Sequence, residues 1–111
     1  MADEIIDLTG DDQAAVWVVA PRGAVDLQSC EQLAQSFREV IDAGGRVVVL
    51  DLGEVDFLDS SGIREIVRAA RALQDIGGRL LVEHASGAVQ RVLEVTGILE
   101  GLKLEARHPT S

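Results

Sequence analysis

Two neighbouring hydroxyls set between an aspartate and a glycine, Asp59-Ser60-Ser61-Gly62, are the residues of this 111-residue chain best suited to chemistry. A serine can attack a substrate with help from a base, or it can accept a phosphoryl group. The first use calls for a Gly-x-Ser-x-Gly elbow, and Leu58 and Asp59 occupy the places where its first glycine would fall. The base would have to be His84 or His108, and neither has an evident orienting partner in the sequence. No Walker-type phosphate loop is present, so nucleotide hydrolysis is not indicated. The second use needs only an accessible hydroxyl, and a helix start favours a phosphate through its free N–H groups and dipole. On spacing alone, a serine at such a place is more often a helix cap.

The flanks show which elements must position these hydroxyls. Val47 to Leu50 is an apolar run rich in β-branched residues and reads as a buried strand. Ile63, Ile66, Val67, Ala70 and Leu73 recur at helical spacing, as far as about Asp75, and Gly77-Gly78 ends the pattern. Asp59 to Gly62 therefore lies where a loop becomes a helix. Asp59 suits that junction as a cap or as a group orienting Ser60. Gly62 leaves the first turn without a side chain, which lets another molecule approach closely. Asp56 is expected to face solvent. A second junction stands at Asp26, ahead of Leu27, Cys30, Leu33, Ala34, Phe37, Val40 and Ile41 on one helical face. Asp26 is the expected N-cap there, Ser29 supports the first turn, and Gly44-Gly45 ends the helix.

The remaining elements fall around these. Glu4 to Leu8 reads as an edge strand and Gly10-Asp11-Asp12 as a turn. Ala14 to Ala20 reads as a central strand stopped by Pro21, and Arg22 to Val25 as a short extended segment. Arg46 to Leu52 has the composition of a strand buried on both faces. Arg79 to Glu83 is a further strand. Ser86 would cap a third helix with Val89, Val92 and Leu93 inward and Gly97 past its end. Ile98 to Leu102 would add a helical turn, and Lys103-Leu104-Glu105 a last short strand. Strands alternating with helices imply βαβ crossovers, and the opening hairpin makes the sheet mixed. The expectation is one α/β domain over residues 1–111, with a core from about 4 to 105 and a frayed tail over 106–111.

The run Asp56-Phe57-Leu58-Asp59-Ser60-Ser61-Gly62-Ile63 strongly resembles the phosphorylation-site signature of anti-sigma factor antagonists, bacterial proteins built on the STAS domain. The order of elements extends the resemblance from about Val16 to Leu104. It implies a small mixed sheet with helices packed against it, and Ser60 as the phosphorylated residue. It implies too that Asp26 lies beside that site and contributes to a partner-binding surface, which Asp59, Ser61, Gly62 and Arg64 complete. The unphosphorylated protein would bind an anti-sigma factor, itself typically a serine kinase using ATP and magnesium, and so free a sigma factor. Phosphate on Ser60 would release it, and a serine phosphatase would reset it. The chain would need no cofactor and no catalysis of its own. Other STAS domains are binding subunits of lipid-transport complexes or stress-signalling assemblies, and the complete acceptor signature favours sigma-factor regulation. Two departures bear on partner choice. Ala24 stands where many members carry an acidic residue, and Arg64-Glu65 where many have a small one. Arg64, four residues past Ser60, could approach a phosphate there or simply be solvated.

Composition narrows the partners. A net charge of −9 argues against nucleic acid and against an anionic membrane surface, and suits a partner that is basic where the two meet. The single cysteine, Cys30, rules out an intrachain disulfide and is expected in the core. His84 and His108 lack companions at metal-ligand spacing. The acidic start of the chain does not read as a signal peptide, no apolar run spans a bilayer, and the expected address is the cytoplasm.

Overall fold

The computed structural model describes residues 4–7, 16–85, 87–97 and 105–107. Five strands form one sheet in the order β1-β2-β4-β6-β7. β1 (Glu4–Asp7) and β2 (Val16–Ala20) are the opening antiparallel pair, with Ile5 opposite Val19. β4 (Val47–Asp51) lies parallel between β2 and β6 (Arg79–Glu83), and β7 (Glu105–Arg107) runs parallel to β6. A strand flanked on both sides has no solvent edge, which fits a β-branched run without polar alternation. Val48, Val49 and Leu50 of β4 are accordingly all buried.

Among the described residues three helices accompany the sheet, α1 (Cys30–Asp42), α2 (Ser60–Asp75) and α3 (Gly87–Thr96). α1 packs on α2 and β2, α2 also on β5 and β6, and α3 on β5. Leu33, Phe37 and Val40 of α1 and Ile66, Ala69, Ala70 and Leu73 of α2 join the sheet side chains Val19, Val48, Leu50, Leu80 and Val82 in one core. Each helix buries a stripe at i, i+3, i+4 spacing, so apolar burial rather than helix propensity holds it in place. α1 and α2 both stop at glycines with left-handed φ, Gly44 at 98° and Gly77 at 81°, where an L side chain would be strained.

The structure corrects two expectations, adds one strand and leaves other expectations outside the described residues. The expected short extended segment is β3 (Gly23–Val25), which pairs in parallel with β5 (Val55–Leu58) as a two-stranded ribbon separate from the five-stranded sheet. β5 itself was not anticipated, because Asp56 and Phe57 are both exposed between buried Val55 and Leu58, and that pattern has no period of two. α1 begins at Cys30 rather than just after Asp26, and Leu27 is 71% exposed. The last strand runs through Ala106 and Arg107, residues assigned above to the tail, because the Leu81–Glu83 edge of β6 is there to be paired. The expected Ser86 cap, the turn over Ile98–Leu102 and residues 103 and 104 of the last strand lie outside the described residues.

Candidate functional site

The ribbon β3–β5 builds the site. Its strands are parallel and in register at Val25 and Leu58, so the residues that follow them, Asp26 and Asp59, leave the ribbon side by side. The Asp59 N–H donates to the Val25 carbonyl at 3.1 Å and ties the two exits together. Each exit then turns towards a helix.

Asp59 is the N-cap of α2. Its backbone is extended (φ −108°, ψ −173°) and its Oδ1 accepts from the N–H groups of Ser61 (2.9 Å) and Gly62 (3.2 Å). That satisfies two donors that a helix start otherwise leaves free. Ser60 is thus the first helical residue and not the cap. Its side chain is exposed and makes no hydrogen bond among the described residues. Ser61 is half-buried. Removing the cap and removing the hydroxyl should therefore separate cleanly. Asp59→Ala is expected to lose about 1 kcal/mol of folding stability, and Ser60→Ala less than about 0.5 kcal/mol. Urea unfolding of the two variants measures this, and equal losses would return the capping role to Ser60.

Gly62 answers to the chain's own packing. It is buried, and a Cβ there would lie 2.6 Å from Val25 Cγ1, 2.7 Å from Leu58 Cδ1 and 3.0 Å from the Val25 carbonyl oxygen. The space left by the missing side chain is filled by β3 and β5. The expected opening for another molecule at Gly62 is therefore corrected to a seam between α2 and the ribbon.

Asp26 is also corrected. The residue before α1 is Ser29, whose side chain makes no cap bond. Asp26 instead closes the turn ahead of the helix, its Oδ1 accepting from the N–H groups of Gln28 (3.0 Å) and Ser29 (3.1 Å). Ser29 Oγ donates to the Ala24 carbonyl at 2.7 Å and accepts from the Asp26 N–H at 2.9 Å, which braces the turn against β3. Ser29 is the support expected of it.

Around the two aspartates the surface is acidic with apolar islands. Ala24 and Phe57 stand opposite each other in the ribbon and are both exposed, Phe57 by 51%. Asp56 is exposed beside them. The sequence puts Leu27 on a helical face and gives Phe57 no place, and both are exposed at the site. The one signal for Phe57 was its place between a charged residue and the acceptor run, which is no proof of exposure. Arg64 is exposed, with its Nε 3.8 Å from Glu65 Oε2, and Arg68 Nη1 holds the same oxygen at 3.2 Å. Cys30 is buried in the core as expected.

His84 has partners that its sequence neighbourhood did not show. Its Nδ1 lies 3.0 Å from Asp51 Oδ1 and its Nε2 3.4 Å from Glu83 Oε1. β4 and β6 bring Asp51 and Glu83 into register, and His84 follows directly with a φ of 64°. Both ring nitrogens face carboxylates, so neither holds a serine hydroxyl as a catalytic base would. Among the described residues no group of three or more His, Cys, Asp or Glu is placed to hold a metal ion, and no helix is long and apolar enough to cross a membrane.

The family model described as STAS domain matches residues 6–110. BtrV of Bordetella bronchiseptica, a protein named for anti-sigma factor antagonism, is 33% identical over 92 residues, covering 83% of this chain and 79% of that protein. A crystal structure of an anti-sigma factor antagonist from Mycobacterium paratuberculosis is 26% identical with a TM-score of 0.74, covering 96% of this chain and 87% of that one. The Bacillus cell-fate determinant SpoIIAA in its phosphorylated form shares the fold, with a TM-score of 0.73 at 20% identity over 99% of this chain and 93% of that one.

Proposed function

The chain belongs to the STAS-domain family, and from that premise we propose that it is an anti-sigma factor antagonist switched by a phosphate on Ser60. The observation that carries the reading is the division of labour at α2: Asp59 caps the helix, and the Ser60 hydroxyl is left exposed with no hydrogen bond among the described residues. The similarity to BtrV and to the mycobacterial antagonist supports the general role.

The unphosphorylated chain binds an anti-sigma factor in the cytoplasm and so frees a sigma factor. The anti-sigma factor acts as a serine kinase. In the transfer, Ser60 Oγ forms a bond to the γ-phosphorus of ATP, and the bond from that phosphorus to the β,γ-bridging oxygen breaks. ADP leaves, and the hydroxyl proton passes to a base or to water. The product carries an added charge of about −1.5 to −2 at neutral pH. It stands next to Asp59, at the junction tied to that of Asp26, so a docking face that was already acidic becomes more so. Tenfold weaker binding takes only about 1.4 kcal/mol, which modest repulsion and the desolvation of a dianion can supply. A serine phosphatase restores the hydroxyl. This chain is the substrate and the switch, and it performs no catalysis and needs no cofactor.

Mass spectrometry of the protein from its native cells tests this reading. Phosphate on Ser60 under some growth condition is expected; phosphate on Ser61 instead, or none under any condition, would overturn it.

Asp26 supplies a second test. Asn keeps the Oδ1 acceptor that closes the turn to Gln28 and Ser29, and removes only the charge. Asp26→Asn is expected to weaken binding of the anti-sigma factor about tenfold, with stability changed by less than about 0.5 kcal/mol. Calorimetry with that partner measures it, and unchanged affinity would reduce Asp26 to a residue that shapes its turn.

A further inference from the structure

We propose that Arg64 is the internal counter-ion of the phosphorylated state. It swings from Glu65 onto a phosphate on Ser60 and holds it along the first turn of α2. The inference rests on Ser60 as the acceptor and adds what the chain itself does with the charge.

The geometry favours the move. Residues four apart on a helix are neighbours, about 5–6 Å between Cβ atoms. Side chains on a helix also tend to lean towards its N-terminus, which puts position 60 within reach of an arginine at position 64. α2 is regular from Ser60 onwards, and both residues are exposed. The present partner of Arg64 is a poor one. Adjacent helical residues do not face each other, and the Arg64 Nε to Glu65 Oε2 distance is 3.8 Å. Glu65 does not depend on Arg64 either, because Arg68 holds the same carboxylate oxygen at 3.2 Å. Arg64 can therefore leave without stranding a buried charge, although the Glu65 side chain is only 11% exposed.

The chemistry supplies the drive. A phosphate on Ser60 would follow Asp59 directly and stand at the junction that Asp59 shares with Asp26. Asp59 Oδ1 already occupies the N–H groups of Ser61 and Gly62, so those donors are closed to it. A guanidinium presents paired N–H donors that match phosphate oxygens, and such charge-assisted bonds are stronger than the 3.8 Å contact they replace. One modification then alters two positions on the docking face: Ser60 gains a dianion, and Arg64 is drawn back from solvent.

The experiment uses the full chain with phosphoserine placed at position 60 by genetic encoding, so no kinase is involved. ³¹P NMR follows the second ionisation of the phosphate in the wild type, Arg64→Gln, Arg64→Lys and Arg68→Gln. A guanidinium on the phosphate favours the dianion. Losing it in Arg64→Gln should raise the titration midpoint by roughly 0.3 unit. Arg64→Lys should recover part of the shift, and Arg68→Gln should raise the midpoint by less than Arg64→Gln does, because Glu65 then competes with the phosphate for Arg64. The Arg64 Nε–H should exchange more slowly with phosphate present than without it. Equal midpoints for the wild type and Arg64→Gln would overturn the proposal. So would an Arg68→Gln shift as large as that of Arg64→Gln, or no recovery at all in Arg64→Lys. Because the phosphate is installed directly, failure here leaves Ser60 free to be the natural acceptor. Absence of phosphate on Ser60 in native cells would in turn leave this measurement standing.

Discussion

Gly62→Ala is expected to destabilise the domain by about 1–3 kcal/mol, as overpacking in a close-fitted interior does. One methyl group would sit 2.6 Å from Val25 Cγ1 and 2.7 Å from Leu58 Cδ1, and both side chains are buried. The third contact, the Val25 carbonyl oxygen at 3.0 Å, belongs to a backbone that also accepts the Asp59 N–H. Alanine's better helix propensity returns at most about 1 kcal/mol, and less in a first turn. The net effect should be a loss, read as a fall in Tm of several degrees. It should also reach the surface. Val25 and Leu58 immediately precede Asp26 and Asp59, so a ribbon pushed away from α2 moves both aspartates relative to Ser60. Affinity for the partner should drop along with stability. Thermal unfolding checks the first part, and an unchanged Tm would mean that the seam can yield where the structure shows it closed.

Ser60→Ala is expected to abolish phosphate incorporation while leaving the fold and the unphosphorylated interaction in place. The stability cost should stay within about 0.5 kcal/mol, because Asp59 performs the capping. The variant should remain bound to its anti-sigma factor when kinase and ATP are added, whereas the wild type is released. Ser60→Asp should do the reverse. A carboxylate in the first turn of α2 is favoured by the helix dipole, by about 0.3–1 kcal/mol, so the fold persists. The same carboxylate beside Asp26 and Asp59 should weaken partner binding, though less than a phosphate does, since it carries less charge. Neither change at Ser61 should reproduce the pattern, because that side chain is half-buried and one residue further into the helix. Phosphate incorporation into Ser60→Ala at the wild-type level, or wild-type affinity for Ser60→Asp, would contradict the assignment.

Much of the fold could be read in the sequence because its signals are long or uninterrupted. α2 carries its apolar stripe through four turns and ends on Gly77, so its bounds were plain. β4 is apolar throughout because it is paired on both sides. The ribbon was hidden for the opposite reason. β3 and β5 are short, and Asp56 and Phe57 break the alternation that would mark a half-buried strand. That ribbon is also what sets Asp26 beside Asp59, so the pairing of the two junctions came from resemblance and not from local pattern. Gly62 shows a further limit. A glycine next to a reactive run suggests an approach from outside, and only the tertiary contact shows that Val25 and Leu58 fill the space. His84 is similar, since Asp51 reaches it across two strands rather than along the chain.

The central claim is that phosphate on Ser60 decides whether the protein holds its anti-sigma factor. The direct measurement is calorimetry of that partner against two samples of the full chain, one unmodified and one with phosphoserine at position 60. The expected result is tight binding of the unmodified chain and affinity lower by tenfold or more, about 1.4 kcal/mol, for the phosphorylated one. Equal affinities for the two samples would contradict the account.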